Sequence, residues 1–118
     1  RLVNGWARTE QRVAECISRA FSGLTQLPAF RYKGPNALKI GSVPGVWARN
    51  LLANRSYYCP VVFLEPYVAN SRDAFQRIIL GDYSGKKSVG GMQRLSLIEE
   101  YAESVSEGIK KSYPTFRD

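Results

Sequence analysis

Residues 59–70 read Cys59-Pro60-Val61-Val62-Phe63-Leu64-Glu65-Pro66-Tyr67-Val68-Ala69-Asn70, an apolar run that delivers one carboxylate to a turn in a chain without histidine. Pro60 to Leu64 is too short for a helix, and its Val-Val-Phe content favours a buried strand of the parallel type. Glu65 then stands at the C-terminal end of that strand. In open α/β sheets ligands bind at this edge, because the strand fixes the side chain while the loop beyond leaves it accessible. A carboxylate so placed is either a solvated loop charge or a functional group, and position alone does not choose between them.

On either side of this run the hydrophobic period changes to that of helices. Trp6, Glu10, Val13, Ile17, Phe21 and Leu24 recur at three- and four-residue steps and predict an amphipathic helix from about Ala7 to Ser22, ended by Gly23. Downstream, Asn70 or Ser71 caps a helix from about Arg72 to Leu80 whose buried stripe is Phe75, Ile78 and Ile79. A last helix is expected from Gln93 to Ser112, with Leu97, Ile98, Tyr101, Ala102, Val105 and Ile109 as its apolar stripe and Pro114 closing it. Glu99, Glu100, Glu103 and Glu107 fall on its other faces and read as surface charge. The pattern predicts an α/β fold over residues 1–118, a mostly parallel sheet flanked by helices, as a single domain.

The connecting segments are less regular. Pro28, Gly34, Pro35, Gly41 and Pro44 break residues 25–45 into a loop with one short strand near Ala37 to Ile40. Loops of this length are more often functional than filler. Phe30, Arg31, Tyr32 and Lys33 offer aromatic faces and cationic donors to a glycan or a peptide carboxylate, or else pin the loop to the body. In residues 46–54, Trp47, Leu51 and Leu52 have helical spacing, although the tail also reads as a short strand ending at Arg55. Residues 83–91 form a polar loop rich in Gly and Ser that lacks the Walker pattern.

Composition narrows the function classes. The chain has 118 residues, 44% hydrophobic and 12% aromatic, which is that of a folded protein rather than a disordered tail. Lys and Arg number 17 against 10 Asp and Glu, a net charge of +7 that suits a polyanionic partner. The basic residues are scattered, and without a helix-turn-helix or RNA-binding signature they argue against specific nucleic-acid recognition. No apolar run reaches the roughly 20 residues of a membrane span. The lack of histidine excludes Ser-His-Asp and Cys-His catalysis and His-based metal ligation within the chain. Cys16 and Cys59 read as apolar fillers, with a disulfide left open by their spacing.

The stretch from Leu51 to Asn70 resembles the last core strand of the zinc-dependent N-acetylmuramoyl-L-alanine amidases of the amidase-3 type. That family carries an apolar-Leu-Arg element, a link, then Pro-apolar-apolar-Leu-apolar-Glu, an aromatic turn and an Asn that caps the next helix. Arg55, Pro60, Glu65 and Asn70 take those places here, while the turn after Glu65 is one residue shorter and holds Pro66-Tyr67 in place of Gly-Phe. The resemblance implies that this is the C-terminal portion of an amidase domain acting on peptidoglycan, in the periplasm, secreted, or at the cell wall. It implies Glu65 as general base or acid, with Arg55, Tyr67 and Asn70 at the substrate. It also implies zinc, whose two histidines and glutamate the family carries upstream of the matching region, so that an upstream segment or chain completes the domain. A degenerate, non-catalytic scaffold that binds the wall or a partner through its positive charge is the other reading the same residues allow.

Overall fold

The computed structural model of the chain describes residues 5–113, so Pro114 lies outside the described residues. In chain order the elements are α1 (Trp6–Thr25), β1 (Ala37–Lys39), β2 (Trp47–Arg49), α2 (Leu52–Arg55), α3 (Arg72–Leu80), β3 (Lys87–Val89), β4 (Met92–Arg94) and α4 (Leu97–Ser112). The fold is thus mixed α and β. Its described sheets are two antiparallel two-stranded ribbons, β1 with β2 and β3 with β4, and no parallel pair occurs among the described residues.

The expected strand at Pro60 to Leu64 does not form, and the reason lies in its neighbours. A parallel strand needs ladder partners, yet residues 60–67 make no backbone–backbone hydrogen bond with other described residues. Instead the Val61 amide donates to a carboxylate oxygen of Glu10 at 2.9 Å, which ties the segment to α1.

Helix α1 runs through Gly23 to Thr25, beyond the expected stop. Thr25 is fully buried, its hydroxyl donates to the Phe21 carbonyl at 2.8 Å, and Gln26, at φ 58°, donates its amide to the Ser22 carbonyl. These bonds satisfy the last turn more fully than an ending at Gly23 would. The β1–β2 loop lies against α1, where the Ser18 hydroxyl donates to the Pro44 carbonyl at 2.6 Å. In residues 46–54 the helical spacing describes only the tail, and no strand ends at Arg55. The front, Trp47–Arg49, is a strand, and the tail, Leu52–Arg55, is one helical turn.

The polar loop of residues 83–91 contains a strand, since Lys87–Val89 pairs with Met92–Arg94 across Gly90 and Gly91. Both glycines have positive φ, 58° and 80°, as a two-residue hairpin turn requires. This hairpin takes the residues expected to begin the last helix. Helix α4 therefore starts at Leu97, with the Ser96 hydroxyl accepting from the Glu99 amide at 3.2 Å.

Helices α1 and α4 pack directly on each other, and small side chains decide which face of α4 turns inward. A Cβ on Gly108 would stand 2.4 Å from the Ile17 Cα, so the helices approach more closely than any larger residue permits. The buried positions of α4 are Leu97, Glu100, Ser104, Gly108 and Ser112, a stripe at three- and four-residue spacing. Of the expected apolar stripe only Leu97 is buried, while Ile98 is 63% and Ile109 42% exposed. Helix α3 is turned likewise. Ala74 and Arg77 are buried, and Phe75 and Ile79 are 52% and 68% exposed.

Glu100 is not surface charge. Its carboxylate accepts from Arg77 Nη1 at 2.8 Å, with the two side chains 3% and 1% exposed, and Arg94 Nη1 approaches within 3.8 Å. Arg77 also donates to the Leu95 carbonyl at 3.1 Å, and Tyr67 donates its hydroxyl toward Glu100 at 3.3 Å. This polar knot joins α3, the β3–β4 hairpin and α4 where aliphatic packing does not.

Candidate functional site

Glu65 lies beside a three-ring aromatic row. Tyr32, in the segment between α1 and β1, meets Phe30 edge-on at 5.1 Å and Trp47 edge-on at 5.5 Å between centroids. Trp47 and Arg49 are two residues apart on β2, so the alternation of a strand sends both side chains to the same face. That places the Arg49 guanidinium 4.6 Å from the centre of the Tyr32 ring.

The charges then close into a triangle. Arg49 Nη1 donates to the Tyr32 hydroxyl oxygen at 3.1 Å and to Glu65 Oε2 at 3.2 Å. The Tyr32 hydroxyl donates its proton to the same Oε2. Both donors converge on one oxygen, and Oε1 receives none from the described residues, while the Glu65 side chain is 51% exposed. The Tyr32 phenol is held above its ordinary range, first by its hydrogen bond to Glu65, then by burial and by the carboxylate charge, with Arg49 opposing. It therefore remains a donor through neutral pH. A half-exposed ion pair adds little to folding stability, so the arrangement is better suited to orienting a carboxylate than to holding the fold.

The other expected site residues go elsewhere. Arg55 ends α2, and its side chain makes no hydrogen bond or ion pair with a described residue. The Tyr67 hydroxyl is committed to the interior, donating toward the Leu97 carbonyl and Glu100, with its ring edge-on to Phe21 at 5.3 Å. Burial, followed by the charge of Glu100, raises its phenol far above the ordinary range. Asn70 is exposed in the turn before α3, and the cap of that helix is Ser71, whose hydroxyl accepts from the Ala74 amide at 3.5 Å.

The sequence left Tyr32 open between contact with a ligand and pinning its loop to the body, and did not single out Arg49. The signal was the two-residue step from Trp47 to Arg49, hidden by the helical spacing of Trp47 and Leu51.

No group of three or more His, Cys, Asp and Glu among the described residues can hold a metal ion, and Cys16 and Cys59 are not joined in a disulfide. The residues present do not fit the zinc that the resemblance implies. Among the described residues no helix is long and apolar enough to cross a membrane. No family model matches the chain, and neither a curated protein nor a solved structure matches it.

Proposed function

We propose that this chain contributes the proton-transfer carboxylate of a peptidoglycan amidase, which cleaves the amide between N-acetylmuramic acid and L-alanine. The observation that carries the reading is the half-exposed Glu65, gripped at Oε2 by Arg49 and Tyr32 with no donor to Oε1 among the described residues. The resemblance of Leu51–Asn70 to the amidase-3 strand supports the same residue. In this reading Oε1 takes a proton from water as the water oxygen bonds to the amide carbon, then passes it to the departing nitrogen as the C–N bond breaks. The products are the muramic acid carboxylate and the free α-amine of the stem peptide. Arg49 and Tyr32 keep the carboxylate in place through both transfers. The zinc would be held by residues outside this chain. Work on peptidoglycan places the protein in the periplasm, at the wall or outside the cell.

The test is amine release from purified sacculi by the translated product of the whole reading frame that encodes this chain. Glu65→Gln keeps the shape and removes the basic oxygen, so turnover should fall about 10²- to 10⁴-fold. Unchanged turnover by that variant refutes the proposal. The lack of a metal-ligand group in the described residues, together with the charge of +7, favours a second reading as a basic wall-binding module. Under it the chain sediments with sacculi in a salt-sensitive manner, releases no amine, and is indifferent to Glu65→Gln.

A further inference from the structure

We infer that Tyr32 is the positioning residue of this site, its hydroxyl fixing Glu65 Oε2 so that Oε1 meets the attacking water. The inference rests on the reading of Glu65 as the proton-transfer group. Its ground is the way the ring is held. Phe30 and Trp47 meet it edge-on at 5.1 and 5.5 Å, and the Arg49 guanidinium stands over its face at 4.6 Å, so the phenol is fixed on three sides before it bonds to anything. A donor fixed in advance orients its acceptor without further ordering when substrate arrives.

Tyr32 and Arg49 divide the work by chemistry. The guanidinium bonds both the phenol oxygen and the carboxylate, at 3.1 and 3.2 Å, and so sets the distance between them. The phenol adds its proton to Oε2 beside that of Arg49, so that both donors fall on one oxygen and none from the described residues on Oε1. Ring packing alone needs no hydroxyl at this position. A phenylalanine would make the same edge contacts, yet the hydroxyl is directed at a carboxylate whose other oxygen has no donor among the described residues.

Tyr32→Phe separates the two roles. In the translated protein, with peptidoglycan as substrate, kcat should fall about 10- to 100-fold while KM stays within about twofold, because the ring remains and the orientation is lost. Glu65→Gln is measured beside it. If Glu65→Gln is inactive and Tyr32→Phe turns over as wild type, this inference fails and the reading of Glu65 stands. If Glu65→Gln is fully active, the reading of Glu65 fails and the role of Tyr32 falls with it. A third measurement needs no activity, namely a pH titration of the 118-residue chain labelled at tyrosine 13Cζ. The Tyr32 signal should titrate above the ordinary phenol value of 10.0 and return toward it in Glu65→Gln. Titration at the ordinary value in the unmutated chain overturns the inference whatever the kinetics show.

Discussion

Replacing Glu100 by Gln should unsettle the whole chain, although α4 itself would tolerate the change. The substitution keeps the length of the side chain and removes its charge, leaving Arg77, 1% exposed and 2.8 Å away, without a counter-ion. Arg94, at 3.8 Å, loses the same partner. Breaking a buried pair from one side typically costs about 3–5 kcal/mol. A total stability of about 5–15 kcal/mol is usual. A substantial share of the stability thus depends on one side chain's charge, and a melting temperature lower by about 10–20 °C follows. Urea unfolding followed by far-UV circular dichroism measures it, with the exposed Glu103→Gln as control. Removing both ends, as Arg77→Met with Glu100→Leu, should recover much of the loss, because the cost lies in the stranded charge rather than in the missing attraction. If Glu100→Gln is no worse than Glu103→Gln, within about 0.5 kcal/mol, Glu100 is solvated in solution and the polar knot does not join α3 to α4.

Two glycines should respond in opposite directions. Gly108→Ala puts a methyl 2.4 Å from the Ile17 Cα and should destabilise by about 1–3 kcal/mol or more, whereas Gly23→Ala meets nothing within 4 Å in the helix and should stabilise by about 0.5–1 kcal/mol. Thermal denaturation of the two variants decides, and equal effects would mean that α1 and α4 do not approach closely. At high pH the raised Tyr67 phenol makes its own mark. Its folded value exceeds the unfolded 10.0, so its contribution is complete below pH 10.0 and is lost as pH rises toward the folded value, when only the unfolded state gives up the proton. Stability against pH should slope downward above about pH 10, and Tyr67→Phe should flatten that slope.

What the sequence made legible was periodicity, and what it hid was the partner of each period. The helices at Trp6–Thr25, Arg72–Leu80 and Leu97–Ser112 follow from their repeats, near the expected limits except where a hairpin or a buried threonine moved an end. Which face they bury did not follow. Ile98 and Ile109 look like core by pattern, but the helix that faces α4 comes within reach only where Ser104, Gly108 and Ser112 leave room. The strand at Pro60–Leu64 failed for the same reason at the level of the backbone, since composition favours a strand and only neighbouring strands can complete one. The candidate site was half legible. Glu65 was found from its place after an apolar run, but its bonds to Tyr32 and Arg49 cross 33 and 16 positions of sequence, and no local pattern encodes such a meeting.

The outward turn of the aliphatic faces governs how copies of the chain behave in a test tube. Ile79, Ile98 and Phe75, each more than half exposed, are sticky surface, and a net charge of +7 is what holds one molecule off the next. Salt acts on both at once, shortening the repulsion to about 10 Å at 0.1 M while sulfate strengthens apolar association. Colloidal stability is therefore greatest in dilute buffer, and turbidity on adding ammonium sulfate should precede any loss of helix, as association of folded molecules rather than unfolding.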